Sequence, residues 1–260
     1  MQGLRVRAVS GMPQVFPGDD LAQLLLDALA PDEPRDDQLL TIAHKVVSKA
    51  EGAVVRLGDV VPSQDALALA AASAQEPTAG GLGTDPRAVQ VVLDESARVL
   101  RAERGILICR TRHGFVCANA GVDASNAPWP DSLVLLPRDP DASARRIRAR
   151  LRELCGRAPA VLIADSFGRA WRNGQVDVAI GLAGMQPLDD WRGRSDATGR
   201  LLHASWIAVA DAAAASAELL RTKDSLDPVV LIDGLERHIS AQDGPGATEL
   251  LRAPEQDLFG

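Results

Sequence analysis

Short apolar runs of strand length recur along the chain, and several stop abruptly at polar residues. Residues 38–43, 133–136, 160–164 and 229–232 are such runs, and residues 176–183 have the same character. Stretches this short read as buried strands rather than helices. Residues 4–10 alternate instead, with Leu4, Val6 and Ala8 on one side, and predict a half-exposed strand. Residues 105–118 predict a strand pair that turns between Arg110 and Gly114.

Helical patterns fall between these runs. Asp19 or Asp20 is a suitable N-cap for a helix over 21–30, and residues 60–74 read as an Ala-rich helix. The segment Asp139-Pro140-Asp141-Ala142 opens a long basic amphipathic helix reaching Cys155. Residues 86–101 suit a strand or a helix, and 206–220 are helical in their C-terminal part. Residues 11–20, 79–83 and 188–200 read as loops, the last as a charged surface loop or arm. The mixture lacks a regular βαβ rhythm and an internal repeat. It predicts a mixed α/β (α+β) fold and not a doubly wound nucleotide binder. One domain is expected over 1–240, with room for two subdomains, followed by a loosely ordered tail over 241–260.

Composition narrows the function. The 260 residues carry 28 Lys and Arg against 35 Asp and Glu, a net charge of -7, which argues against binding nucleic acid through bulk charge. Cys109, Cys117 and Cys155 form no CxxC pair, so a disulfide framework or structural zinc is not expected. No run has the length of a membrane span and no signal-peptide pattern opens the chain, so a cytoplasmic location is expected.

Two polar stretches follow apolar runs. The first, HGFVCANAGVDASN (residues 113–126), surrounds Asp123 with Asn119, Ser125 and Asn126; the second, DSFGRAWRNGQ (residues 165–175), begins at Asp165 and is read as a loop. Two carboxylates among hydroxyl and amide oxygens suit Mg²⁺ or Mn²⁺, which prefer hard oxygen ligands and keep waters for phosphates. Each aspartate alone reads first as a turn residue, and it is the pair of such stretches that favours the metal. Arg169, Arg172, Asn173 and Gln175 could grip an anion, Trp171 could stack or anchor, and the same stretch could be a solvated loop. His44 suits a ligand, a base or a structural role. Lys45 and Lys49, four apart, share a side whether helical or extended and could meet phosphates. No Walker A or GxGxxG pattern occurs. The residues therefore point to metal-assisted phosphoryl transfer, with a metal-dependent phosphohydrolase or kinase and a non-catalytic oligomeric module as rivals.

At these motifs the chain resembles the coenzyme F420-0:L-glutamate ligase family, the gamma-glutamyl ligases of deazaflavin coenzyme synthesis. The likeness is carried by PGDDL (17–21), HKVVSKAEG (44–52), HGFVCANAGVD (113–123) and DSFGRAWRNGQ (165–175), in family order, and runs from residue 4 to about 235. It implies a cytoplasmic homodimer with a fold of its own and no P-loop. It also implies GTP-dependent addition of L-glutamate to the phospholactyl carboxylate of coenzyme F420-0, through an acyl phosphate, and then a gamma-linked addition to F420-1. By similarity Asp123, Asp165 and Ser166 bind divalent ions, two Mg²⁺ or Mn²⁺, with K⁺ a further candidate. Asp123 and Asp165 are thereby the expected catalytic pair. Met12, Pro13, Gln14, Val15, His44, Lys49 and Asn126 match positions that border GTP. The chain departs from common family forms at Ser166 (often Thr), His44 (often Ser or Thr), Ala170 (often Pro) and the less polar segment 201–206.

Overall fold

The computed structural model describes residues 3–74, 82–222 and 224–257. Its centre is a mixed five-stranded sheet built from β1 (Arg5–Val9), β2 (Leu39–Ala43), β8 (Ala160–Arg169), β9 (Arg172–Ala183) and β12 (Val229–Asp233), in the order β1-β12-β2-β8-β9. Only β2 and β8 run parallel, with Leu40 opposite Val161 and Ala43 opposite Ala164. The apolar runs are apolar throughout because both faces are covered. Leu40, Ile42, Val161, Ile163 and Leu231 face α1 (Leu21–Leu29) and α5 (Pro140–Cys155). Leu39, Ala160, Leu162, Ala164, Val230 and Ile232 face α6 (Val209–Glu218). Several of these side chains are fully buried. At roughly 1.5–3 kcal/mol for each large one, the central strands anchor the fold.

The remaining elements build a second layer. Strands β4 (Ser96–Glu103), β5 (Ile106–Thr111) and β6 (Val116–Ala118) form one antiparallel sheet, and β3 (Val54–Arg56) pairs with β7 (Ser132–Val134). They share a core with α3 (Gln64–Ser73) and α4 (Pro86–Asp94). Helix α2 (His44–Ala50) follows β2 without a break, and β10 (Leu188–Asp190) pairs with β11 (Trp206–Ala208). The architecture is a mixed α/β fold, as expected. No helix among the described residues is long and apolar enough to cross a membrane.

Local chemistry sets the helix starts. Asp20 and Asp139 accept the N–H groups of Gln23 and Ala142, as N-caps of α1 and α5, and Gly156 closes α5 in the left-handed conformation. The Ala-rich helix starts at Gln64 and not at residue 60, because Pro62 precedes the capping Ser63. Residues 86–101 hold both alternatives in turn, α4 and then β4.

Three other expectations are corrected. The apolar strand does not end at Asp165: β8 continues to Arg169 and turns directly into β9, so residues 165–175 are a β-hairpin. Its outer residues look like a loop because they extend beyond the sheet's buried faces and are solvated on both sides. The arm at 188–200 begins with β10 and closes through a bridge between Ser195 and Leu201. Beyond Ser240, where looseness was expected, Ala247 is fully buried and its N–H donates to Asp141 Oδ1 at 2.7 Å. Of the loop expected at 79–83, residues 79–81 lie outside the described residues.

Candidate functional site

The parallel pair β2–β8 places the site. Open α/β sheets bind ligands beyond the carboxyl ends of parallel strands. There β2 gives way at once to α2, and β8 presents Asp165. His44 Nε2 stands 3.3 Å from Asp165 Oδ1. This nitrogen is buried without a hydrogen-bond partner among the described residues, since its approach to the carboxylate is misaligned. His44 Nδ1 lies 3.4 Å from Ser48 Oγ, and Asp165 Oδ1 accepts the N–H of Ser166 at 2.8 Å.

The next residue reaches the other aspartate. Lys45 Nζ is 2.6 Å from Asp123 Oδ2 and also donates to Ser125 Oγ. Asp123 exchanges both main-chain hydrogen bonds with Val134, and its Oδ1 accepts the Ser125 N–H at 2.6 Å. Burial pushes its carboxyl upward, but the charge and hydrogen bond of Lys45 and the Ser125 N–H outweigh this and hold it below the usual range. Consecutive residues of one helix turn thus meet two carboxylates 42 positions apart in the chain.

Lys49, one turn further along α2, is buried, and burial followed by the charge of Lys45 pushes its pKa down. No carboxylate meets its ammonium among the described residues. Cys117 on β6 is buried, and burial and then the charge of Asp165 raise its thiol to about 12. That thiol is no nucleophile at neutral pH, and its strand packs against β8. Phe115 and Phe167 meet edge to face at the margin of the main core, their rings 6.0 Å apart.

The other expected residues are distributed around this centre. Val15 is fully buried in the core, so only its main chain can face a ligand. Met12 is half-buried, and Pro13 and Gln14 are exposed. Their loop is tied to the end of α2 by the bond from Gly18 N–H to Ala50 O, 2.9 Å. Asn126, left-handed at φ 57°, borders a groove of about 530 Å³ that also involves Trp129 and Asp131. Arg169, Arg172 and Asn173 sit at the exposed tip of the β8–β9 hairpin, where Arg169 Nη2 donates to Asn173 O. Four strand residues, roughly 13 Å, separate Arg169 from Asp165, so the fold does not bring these three to the carboxylates.

Ser166 turns to the opposite face of the strand from Asp165. Its Oγ donates to Asp177 Oδ1 at 2.6 Å. Asp177 is buried and ion-paired to the equally buried Arg221, and its N–H donates to Glu218 Oε2 at 2.9 Å. Sequence reasoning passed over Asp177, Glu218 and Arg221; the one available signal was a carboxylate inside the apolar run of β9. Among the described residues no three His, Cys, Asp or Glu side chains converge as a metal-binding group.

Beyond the parallel strand ends of this layered α/β fold, Asp165 meets His44 and Asp123 meets Lys45, with the buried Lys49 one turn further along α2. The chain belongs to the F420-0:gamma-glutamyl ligase family, a family of enzymes, whose model matches residues 11–234. Curated relatives named coenzyme F420:L-glutamate ligase extend the match to nearly the whole chain. The protein of Methanopyrus kandleri is 42% identical over 258 residues, covering 98% of this chain and 97% of its own. That of Methanothermobacter thermautotrophicus is 41% identical over 261 residues, 99% of each chain. That of Haloarcula marismortui is 39% identical over 256 residues, covering 98% and 95%.

Proposed function

We propose that this protein is a GTP-dependent ligase that joins L-glutamate to the phospholactyl carboxylate of coenzyme F420-0, and then gamma-links a second glutamate to F420-1. Family membership and the names of the relatives support the glutamate-adding activity. The observation that carries the mechanism is the pairing of Asp165 and Asp123 with the adjacent residues His44 and Lys45. A carboxylate is a poor electrophile; phosphorylation by GTP would give an acyl phosphate, which the glutamate amino group attacks with release of phosphate. Lys45 and the buried Lys49 supply positive charge where phosphates would lie, while His44 offers a buried nitrogen free to bond a ligand. Met12 to Val15 and Asn126 are the positions at which the nucleotide is expected to rest.

The donor set fits a divalent ion. Asp123 already faces a cation, the ammonium of Lys45, and both carboxylates and the Ser166 hydroxyl are hard oxygen donors. Asp123 and Asp165 would hold Mg²⁺ or Mn²⁺, with K⁺ a further candidate; Ser166, turned to the other face of β8 and bonded to Asp177, is not brought together with them. Such an ion would neutralise charge on the transferring phosphoryl group. We also infer a cytoplasmic homodimer, as the family resemblance implies.

Mass spectrometry of F420-0 with L-glutamate, GTP and Mn²⁺ tests the reading. Glutamate-mass additions that require GTP are expected. Phosphate release from GTP without any addition would identify a phosphohydrolase instead. Asp123→Asn and Asp165→Asn should each cut turnover by at least about 100-fold with the melting temperature nearly unchanged; wild-type turnover in either would sink the metal assignment.

A further inference from the structure

We propose that the groove beside Asn126 takes the guanine base of the nucleotide, and that Asp131 selects guanine over adenine there. The groove, about 530 Å³, begins at Ala124, next in the chain to Asp123, and includes Trp129 and Asp131. Its volume is that of a small-molecule site. Val134 lies opposite Asp123 in a main-chain bridge, and Asp131 stands three residues before Val134. Three strand residues span roughly 10 Å, comparable to the distance between the hydrogen-bonding edge of a purine and the α-phosphate of its nucleotide. A nucleotide with its phosphates at Asp123 and Lys45 would therefore bring its base to Asp131.

Two carboxylates line the groove, and only one is open to a ligand. Asp85 is held in the fork of Arg87, whose main-chain N–H it also accepts. The Asp131 carboxylate is exposed; Arg87 feels its charge, but no hydrogen bond or ion pair meets it among the described residues. A carboxylate accepts two hydrogen bonds side by side, which matches the N1–H and 2-amino donors on the guanine edge. Adenine turns the N1 lone pair to the same place and is repelled, so one residue both attracts and excludes. The half-buried indole of Trp129, with the Arg56 guanidinium 4.8 Å from its ring centroid, offers a stacking surface to either base. This wall is formed before a ligand arrives. Pro128 and Pro130 flank Trp129, the Trp129 carbonyl accepts the Ser132 hydroxyl at 2.6 Å, and Asp131 O accepts the Leu57 N–H at 2.9 Å.

This inference rests on the proposed use of GTP. Its test is equilibrium binding of GTP, ATP and the xanthine nucleotide XTP to the wild type and to variants, beside their melting temperatures. Asp131→Asn suits the left-handed backbone at φ 51° and replaces one acceptor by an amide donor, which matches the 2-oxo group of xanthine. It should weaken GTP binding about 10- to 100-fold and strengthen XTP binding about 10-fold. Asp131→Gly, which also accepts this backbone, should bring the GTP and ATP affinities together. Trp129→Leu should weaken all three nucleotides alike, by about 10-fold. A wild type that binds GTP no better than ATP, or a folded Asp131→Asn or Asp131→Gly protein that keeps the wild-type preference for GTP, would overturn the proposal. Absence of GTP binding in the wild type would instead overturn the nucleotide reading itself, and this inference with it.

Discussion

Lys49 sets binding against stability at a single position. Its ammonium is buried, no anion meets it among the described residues, and both burial and Lys45 disfavour its charge. A cation left in this state costs folding free energy that a phosphate would recover. Lys49→Met should therefore raise the melting temperature of the ligand-free protein while weakening GTP binding by about 10- to 100-fold. Thermal unfolding with and without GTP checks both parts. His238 is pushed the same way. Its Nε2 accepts from Arg237 Nε at 2.7 Å, and burial, then the charge of Arg237, push its pKa below the ordinary value. The folded state thus disfavours protonation. The stabilisation is complete above the unfolded pKa of about 6.5 and is lost as pH falls below it. His238→Gln should flatten the decline in melting temperature between about pH 7 and 5; an unchanged decline would remove His238 from the account.

At the scale of elements, the β8–β9 hairpin poses the main structural problem, because β9 ends the sheet and offers unpaired N–H groups along its outer edge. Three carboxylates close that edge. Glu218 accepts from Asp177 N, Asp211 from Ala179 N and Asp141 from Leu182 N. Asp211 and Glu218 lie on α6 and Asp141 in the first turn of α5, so the helices on both faces of the sheet also seal its side. A bulge near Ile180 changes which residues point outward, so the N–H groups met are those of Asp177 and Ala179 before it and of Leu182 after it. Asp141 additionally accepts from Ala247 N and Thr248 N. Removing it strands several buried donors, so Asp141→Ala should destabilise the protein by roughly 2–4 kcal/mol, measurable by denaturant unfolding. A loss within error of zero would mean that water replaces the carboxylate.

For the whole molecule, the segment after Ser240 works as a strap. Arg148 of α5 is buried and donates to Pro159 O, Ser240 O and Ala241 O while pairing with Asp243 at 2.7 Å. Further along, Leu251 packs on the main core and Asp257 pairs with Arg110 of β5, so the strap spans both layers. Arg148→Met should cost roughly 3–5 kcal/mol by leaving Asp243 and these carbonyls unpaired. It should also speed amide exchange across residues 238–251 before other regions respond. Uniform exchange behaviour in the variant would show that the strap is not a separate cooperative unit.

Much of this was legible in the sequence because it is local. Apolar runs, alternation and the caps at Asp20 and Asp139 depend on neighbours within a few residues, and they determined most strands, α1, α5 and the mixed class of the fold. The polar crowding at His44, Asp123 and Asp165 likewise marked the segments that meet in the cleft. Tertiary structure alone decided that Lys45 faces Asp123, that Ser166 turns away to Asp177, and that the hairpin tip carries Arg169 and Arg172 off from the carboxylates. It also decided that a tail of loop-like composition packs against Asp141 and Arg148. Each of these depends on partners distant in the chain or on which face of a sheet is covered, and such pairings leave no periodic trace in the residues that make them.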